Sequence, residues 1–411
     1  MKRLKICRCC HSKDLLLYLN LGKQPLANSY HKNEKLYTYP LEVMFCRNCY
    51  HNQLSVVVNP DEMYKNYLYV TGTTDTFQRH CEDLAKDAMN RFPKNKLSVL
   101  DIACNDGTLL AYFRSLGCEV YGVDPAENLR PITKELGIPV EVDYWTPKIA
   151  KKIQKKFYII TGTNVFAHVN NVDEFLTGVK IALKANGILI LEFPYANKMV
   201  KYNEFDTVYH EHLSYFLVNS FKTLMERNEF YIVDILQTPI HGGSIRFFVK
   251  KGDKEHSEKV AKLIQEETNL GLHKESTYLA FAKRVNQNKI VLRQLLSTLR
   301  KNKIKIIGYG ASAKGNTMLN YFKINLSYIV DDNPLKWEYL TPGRNIPIMN
   351  PNVIRDDPSN LAVIVLSWNF ANEIVKKIVT IRGNKNDSII LYVPTVKKIS
   401  IKSNQKFTIS G

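Results

Sequence analysis

The sequence predicts an α/β protein: a central Rossmann-like unit, a second α/β unit behind it and a small cysteine-bearing unit in front. Three observations carry this expectation. Between residues 76 and 250, short apolar runs alternate with segments of helical period, the pattern of a parallel sheet with crossover helices. Two glycine turns, in Val99–Leu110 and Ile304–Asn316, each follow an apolar run and open a helix. Four cysteines in two C-x-x-C pairs precede both.

At 411 residues the chain is long enough for two or three domains, each with a sizeable core. Hydrophobic content of 45% and charged content of 23% are ordinary for a globular protein. No apolar run approaches the roughly 20 residues that span a bilayer. The N-terminal Met1-Lys-Arg-Leu-Lys-Ile-Cys7 lacks the apolar core of a signal peptide. A cytoplasmic monomer with no membrane partner is expected. The formal charge of 57 − 39 = +18 raises the question of nucleic acid. The basic residues are mostly Lys and scattered, with no Arg-rich arm or basic–aromatic repeat, so nucleic acid is not expected. Such a surface suits a small anionic substrate better.

Residues 1–75 form the first expected unit. Cys7-x-x-Cys10 and Cys46-x-x-Cys49 read as two knuckles presenting four thiolates to one structural Zn2+. A redox motif would explain one pair but not two. Four thiolates leave no open position, so metal catalysis is not expected. Cys9, Cys81, Cys104 and Cys118 read as bystanders. Met63–Thr74 then gathers tyrosines and small hydroxylic residues, so Tyr67 or Tyr69 could aim a phenol into the neighbouring unit.

The second expected unit, 76–252, opens with a helix over 76–91. Strands follow at 98–103, 119–123, 139–142, 157–161 and 187–193, with helices at 107–116, 127–136, 147–154 and 172–184. Ligands of such sheets sit outside the carboxyl ends of the strands. Asp101, Asn105, Gly107, Asp124, Asp143 and Asn164 all fall there. Gly107 would let backbone approach a nucleoside, and Asp124 would accept its ribose hydroxyls. The third unit, 253–411, starts with one long helical segment to about residue 301. Its glycine turn, Gly308-Tyr-Gly-Ala-Ser-Ala-Lys314-Gly315, suits a phosphate at a helix N-terminus, with Asp332 ending the next strand.

The densest reactive stretch is Asp206-Thr-Val-Tyr-His-Glu-His-Leu-Ser-Tyr-Phe216. Tyr209, Glu211 and His212 suit general acid–base work, since imidazole titrates near neutrality and a carboxylate can orient it. His241-Gly-Gly-Ser-Ile-Arg246 adds a flexible backbone and a cation for an anionic ligand.

The Asp101–Gly107 turn resembles the first motif of class I S-adenosylmethionine (SAM) methyltransferases rather than a G-x-G-x-x-G dinucleotide fingerprint. Asp124 matches their ribose acid, and Asp143 by the same resemblance their adenine-side acid. Taken with the four cysteines, Leu21-Gly-x-Gln-Pro-Leu26, Tyr67-x-Tyr69, Tyr209-x-Glu-His212, His241-Gly-Gly, Gly308-Tyr-Gly-Ala-x-Ala-Lys314 and Thr341-Pro-Gly343, the chain resembles the nucleotide-sugar C-methyltransferases from Cys7 to about Pro394. That resemblance implies SAM as methyl donor and structural zinc. It implies a 4-keto nucleotide-diphosphate deoxysugar methylated at C3 through an enolate. His212 would be the base and Glu211 and Tyr209 its helpers. Tyr67 or Tyr69 would be a further active-site ring, and His241, Arg246, Lys314 and Asp332 would meet the substrate. His210 stands where the family also accepts an acid. Alternatives are an O- or N-methyltransferase of a nucleotide sugar, a nicotinamide-dependent reductase, or a nucleotide-sugar-binding protein without turnover.

Overall fold

The apolar runs of the central region pair into one seven-stranded sheet. The computed structural model describes residues 1–64, 72, 75–92, 97–383 and 385–401. The strands are β1 (Ser98–Ile102), β2 (Glu119–Val123), β3 (Val140–Glu141), β4 (Phe157–Thr163), β5 (Leu183–Pro194), β6 (Phe230–Thr238) and β7 (Ser244–Lys251). Their order across the sheet is β6-β7-β5-β4-β1-β2-β3. β1 to β5 run parallel, and β7 lies antiparallel to both β5 and β6. Every residue of β1 is buried, as the continuous apolar run of a strand covered on both faces requires.

The chain leaves β1 towards β2 and β3 on one side and returns to β4 and β5 on the other. That reversal opens a crevice beyond the carboxyl end of β1, where open parallel sheets bind their ligands. The β6–β7 hairpin is the one part of the sheet that the alternating pattern does not foretell. The half-buried alternation along β6 suits an edge strand.

The chain divides into two compact units. The first comprises 1–16, 44–197 and 211–274 and holds this sheet together with the cysteine knuckles. Phe77, Leu84, Leu110 and Phe113 from two helices pack on Val99, Ile159 and Ile190 of the sheet. The second comprises 17–43, 198–210 and 275–411. Its sheet contains β8 (Lys305–Tyr309), β9 (Ile329–Val330), β10 (Ile348–Met349), β11 (Leu361–Val365), β12 (Ser388–Leu391) and β13 (Lys397–Ser400). The order is β10-β9-β8-β11-β12-β13, parallel except for β13.

The single long helix expected over 253–301 is two helices, Glu258–Asn269 and Glu275–Lys301. Gly271 takes φ +70°, and the Leu272 amide donates back to the Glu267 carbonyl, a left-handed cap that ends the first helix. Among the described residues, no helix is long and apolar enough to cross a membrane.

Candidate active site

The turn after β1 is unusually tight because three of its residues are left-handed: Ala103, Asn105 and Gly107 have φ of +60°, +52° and +82°. At Gly107 a Cβ would lie 2.9 Å from Ile138 Cδ1, so both conformation and space call for glycine. Asp124, at the end of β2, holds this turn. Its Oδ2 accepts the Asn105 amide at 2.8 Å and its Oδ1 the Ala126 amide at 2.8 Å. A carboxylate has about four acceptor sites, so two remain for a pair of ligand hydroxyls. Asp106 receives the Thr108 hydroxyl at 2.7 Å and, from the segment ahead, the Gly72 amide at 2.7 Å.

Asp101 is buried and accepts the Thr161 hydroxyl at 2.6 Å. Desolvation pushes its carboxyl up to about 7 against that hydrogen bond, with the charges of Asp124 and Asp106 acting in the same direction as burial. The exposed Asp143 accepts the Tyr144 amide at 2.7 Å. Asn164, at φ +55°, is fixed by its amide to the Glu192 carbonyl at 2.7 Å.

Beyond the ends of β4 and β5 the structure gathers His168, His212 and Tyr64. The two imidazoles stand 5.0 Å apart, centre to centre. The Tyr64 hydroxyl lies 3.3 Å from His168 Nδ1 and 3.3 Å from the Glu211 carbonyl oxygen. Burial pulls His168 down to about 4, so it is neutral at physiological pH. Behind these groups Phe166 and Phe193 pack on Phe216 at 5.3 and 4.9 Å, fixing the backbones that carry both histidines.

Sequence reasoning missed His168 and Tyr64. His168 closes Gly162-Thr-Asn-Val-Phe-Ala-His168 directly after β4, a position that was itself the available signal. Tyr67 and Tyr69 lie outside the described residues, as does the side chain of His241.

The reactive stretch 206–216 is divided between the units, the partition falling between His210 and Glu211. Glu211 and His212 belong with the first, Tyr209 and His210 with the second. His210 is buried beside Tyr39, 3.3 Å from the Pro40 carbonyl, and burial lowers it to about 4. Asp206, at the start of the same stretch, accepts Tyr392 Oη at 2.6 Å and Trp368 Nε1 at 2.8 Å.

Arg246 is committed elsewhere than to an anionic ligand. It is 4% exposed, and its Nε donates to Glu192 Oε2 at 2.7 Å. Glu192 is itself fully buried and takes His80 Nε2 on its other oxygen at 2.5 Å. These partners lower the Glu192 carboxyl against the opposing effect of burial.

In the second unit the glycine turn repeats the first. Asp331 accepts the Ala311 amide at 2.6 Å and the Asn333 amide at 2.8 Å, as Asp124 does for its own turn. Asp332 accepts Tyr309 Oη at 2.9 Å and Lys377 Nζ at 2.7 Å. Lys314 sits 4.1 Å over the Trp368 ring, where burial lowers its ammonium while Asp206 and Glu204 favour the charge. A phosphate there would compete with two carboxylates. Burial in turn pushes Glu204 up to about 8.

The four cysteines do converge. The Sγ atoms of Cys7, Cys10, Cys46 and Cys49 all lie within 4.8 Å of one another, with Cys7–Cys49 and Cys10–Cys46 at 3.5 Å. Tetrahedral zinc at about 2.3 Å from each sulfur needs S···S separations of about 3.8 Å, so the set fits Zn2+.

Three family models match the chain in order: a zinc binding domain over 7–64, a methyltransferase domain over 77–235 and a C-methyltransferase C-terminal domain over 239–394. The C-methyltransferase NovU of Streptomyces niveus is 30% identical over 382 residues, covering 90% of this chain and 91% of NovU. A ubiquinone biosynthesis O-methyltransferase of Agrobacterium fabrum is 30% identical over 115 residues, 27% of this chain and 46% of that protein. That match spans less than half of its partner. Among solved structures, magnesium protoporphyrin IX methyltransferase from Synechocystis covers 43% of this chain and 79% of its own, at 14% identity and a TM-score of 0.34. That likeness is too slight to bear on function.

Proposed function

The chain belongs to the C-methyltransferase family, and on that premise we propose that it methylates C3 of a 4-keto nucleotide-linked deoxysugar through an enolate. SAM-dependent methyl transfer to carbon and structural zinc come with the family; the sugar nucleotide and the carbon atom are our reading. The observation that carries it is the pairing of His168 and His212, 5.0 Å apart, beyond the strand ends that flank the glycine turn. Transfer to a hydroxyl oxygen also needs an acceptor for its proton, but transfer to carbon needs the base to act first, forming the enolate before the methyl group can move.

The residues at the turn fit the nucleoside of SAM: Gly107 admits close backbone approach, and Asp124 keeps two acceptor sites for ribose hydroxyls. When bound, SAM supplies an electrophilic methyl group on a sulfonium. A ketone at C4 acidifies the C3–H. His212 takes that proton, and the electron pair moves into the C3–C4 enolate. The enolate carbon would then be the acceptor for the methyl group that SAM, held at the turn of Gly107 and Asp124, would supply, and the C3 proton stays on His212. With the Tyr64 proton turned onto its Nδ1, neutral His168 keeps its own proton on Nε2 and can donate it to the enolate oxygen. The Tyr64 oxygen also lies 3.3 Å from the Glu211 carbonyl, an acceptor its single proton serves only when it is turned away from His168. Glu211, next to His212 in the chain, assists the base.

The test incubates the protein with SAM and matched 4-keto and 4-hydroxy nucleotide sugars and weighs the products. A gain of one CH2 on keto sugars alone is expected, preceded by solvent deuterium exchange at C3. Methylation of the hydroxy sugars would overturn the proposal. His212→Asn should abolish exchange and transfer while SAM still binds; retained exchange would move the base elsewhere.

A further inference from the structure

Arg8 lies inside the first knuckle, between Cys7 and Cys10, yet its side chain turns away from solvent and is 6% exposed. Its Nη1 donates to the Leu213 carbonyl at 2.9 Å, the carbonyl immediately after His212. The Leu54 amide donates to the same oxygen at 3.0 Å. The Arg8 amide is held by Gln53 Oε1 at 2.8 Å, and Gln53 Nε2 returns to the Ile6 carbonyl at 2.9 Å. Gln53 also pairs with Ser214 in a short antiparallel ladder, Asn52–Leu54 against Ser214–Tyr215. The knuckle backbone, Arg8 and the segment after His212 are thus one hydrogen-bonded assembly.

The charge of Arg8 is the unexplained part. Its Nε and remaining Nη are buried without a hydrogen-bond partner among the described residues. Among the described residues no Asp or Glu carboxylate pairs with the guanidinium, whose hydrogen bonds go to the Leu213 and Leu54 carbonyls. A buried cation without an opposite charge is costly. Zinc held by four thiolates is a net dianion, and it would supply that opposite charge beside the knuckle.

We propose that Arg8 is a positioning residue that couples the tetracysteine zinc site to the segment carrying His212. The metal thiolates hold the guanidinium, and the guanidinium holds the Leu213 carbonyl. The zinc site then acts on the reaction at a distance, with no open coordination position. This rests on the reading of His212 as the base.

The experiment compares zinc-loaded wild type, Arg8→Met and Arg8→Lys. It measures zinc release to a chromogenic chelator, kcat, and KM for SAM. Arg8→Met removes charge and donors at similar volume; Arg8→Lys keeps the charge but not the planar fork. Arg8→Met should release zinc at least tenfold faster and lose at least tenfold in kcat, with KM for SAM within twofold. Arg8→Lys should hold zinc within threefold of wild type and recover part of kcat. The proposal is overturned if Arg8→Met releases zinc and turns over like wild type. It is equally overturned if both variants lose zinc, kcat and SAM binding alike, which is loss of fold. The zinc-release arm does not involve His212. Retained C3 exchange in His212→Asn would therefore remove the base assignment and leave the charge pairing of Arg8 standing or falling on its own result.

Discussion

Replacing Arg246 by Met separates two roles for one cation. Sequence spacing aims Arg246 at an anionic ligand, whereas the structure buries it against Glu192 with a 2.7 Å ion pair, their side chains 4% and 0% exposed. Arg246→Met keeps the volume but leaves a buried carboxylate with His80 as its remaining partner at 2.5 Å. Breaking one side of such a pair costs about 3–5 kcal/mol. That is a large part of the roughly 5–15 kcal/mol that holds a domain together. For a unit of this size each kcal/mol moves Tm by about 2–4 °C, so a fall of roughly 6–20 °C is expected by calorimetry.

The pH dependence carries the same information. The Glu192 carboxyl is lowered in the folded state, so its contribution is complete above its unfolded value of about 4.3 and is lost as pH falls through the lower folded value. Arg246→Met should weaken that acid-side loss. Adding Glu192→Gln, which removes the orphaned charge, should recover at least half of the lost stability. KM for the proposed nucleotide-sugar substrate should not change. An unaltered Tm with a raised KM would refute the reasoning and return Arg246 to the substrate.

Gly107→Ala must pay about 1–2 kcal/mol for left-handed backbone and push Ile138 aside from 2.9 Å; SAM affinity by calorimetry should fall about tenfold or more. Asp101 has a raised folded pKa, so its ionisation costs stability as pH climbs from its unfolded value of about 3.9 to about 7. Asp101→Asn should flatten stability across that window, and an unchanged slope in denaturant titrations would count against the assignment. Cys46→Ser removes one of four converging thiolates, so elemental analysis should find zinc well below one per chain.

Much of this molecule is written locally. The two C-x-x-C pairs, the β–α alternation and both glycine turns are patterns within a few residues, and each stands where its spacing puts it. Glu119–Val123 is a strand with the bounds expected. What the sequence hides is pairing at long range. Tyr64 and His168 are 104 residues apart and meet at 3.3 Å; the place of His168 after β4 marks it as a candidate but does not name its partner. Arg246 resembles a free cation until Glu192, 54 residues earlier, is seen opposite it in the β5–β7 ladder. The run 206–216 reads as one cluster, yet its first five residues pack with one unit and the rest with the other. Composition cannot reveal such a division, because it depends on which core each apolar neighbour enters.

The paired turns held by Asp124 and Asp331 have a consequence for how specificity can change. In each unit the acid at the end of the second strand is a latch before it is a ligand contact, because two backbone amides depend on it. Loss of activity on replacing Asp124 would therefore be a poor witness to ribose recognition, since the turn would spring open as well. The latch is the same in both units although their glycine spacing differs, so it carries no information about what either unit would bind. What each unit selects has to be encoded beyond it, in residues free to vary without unmaking the turn.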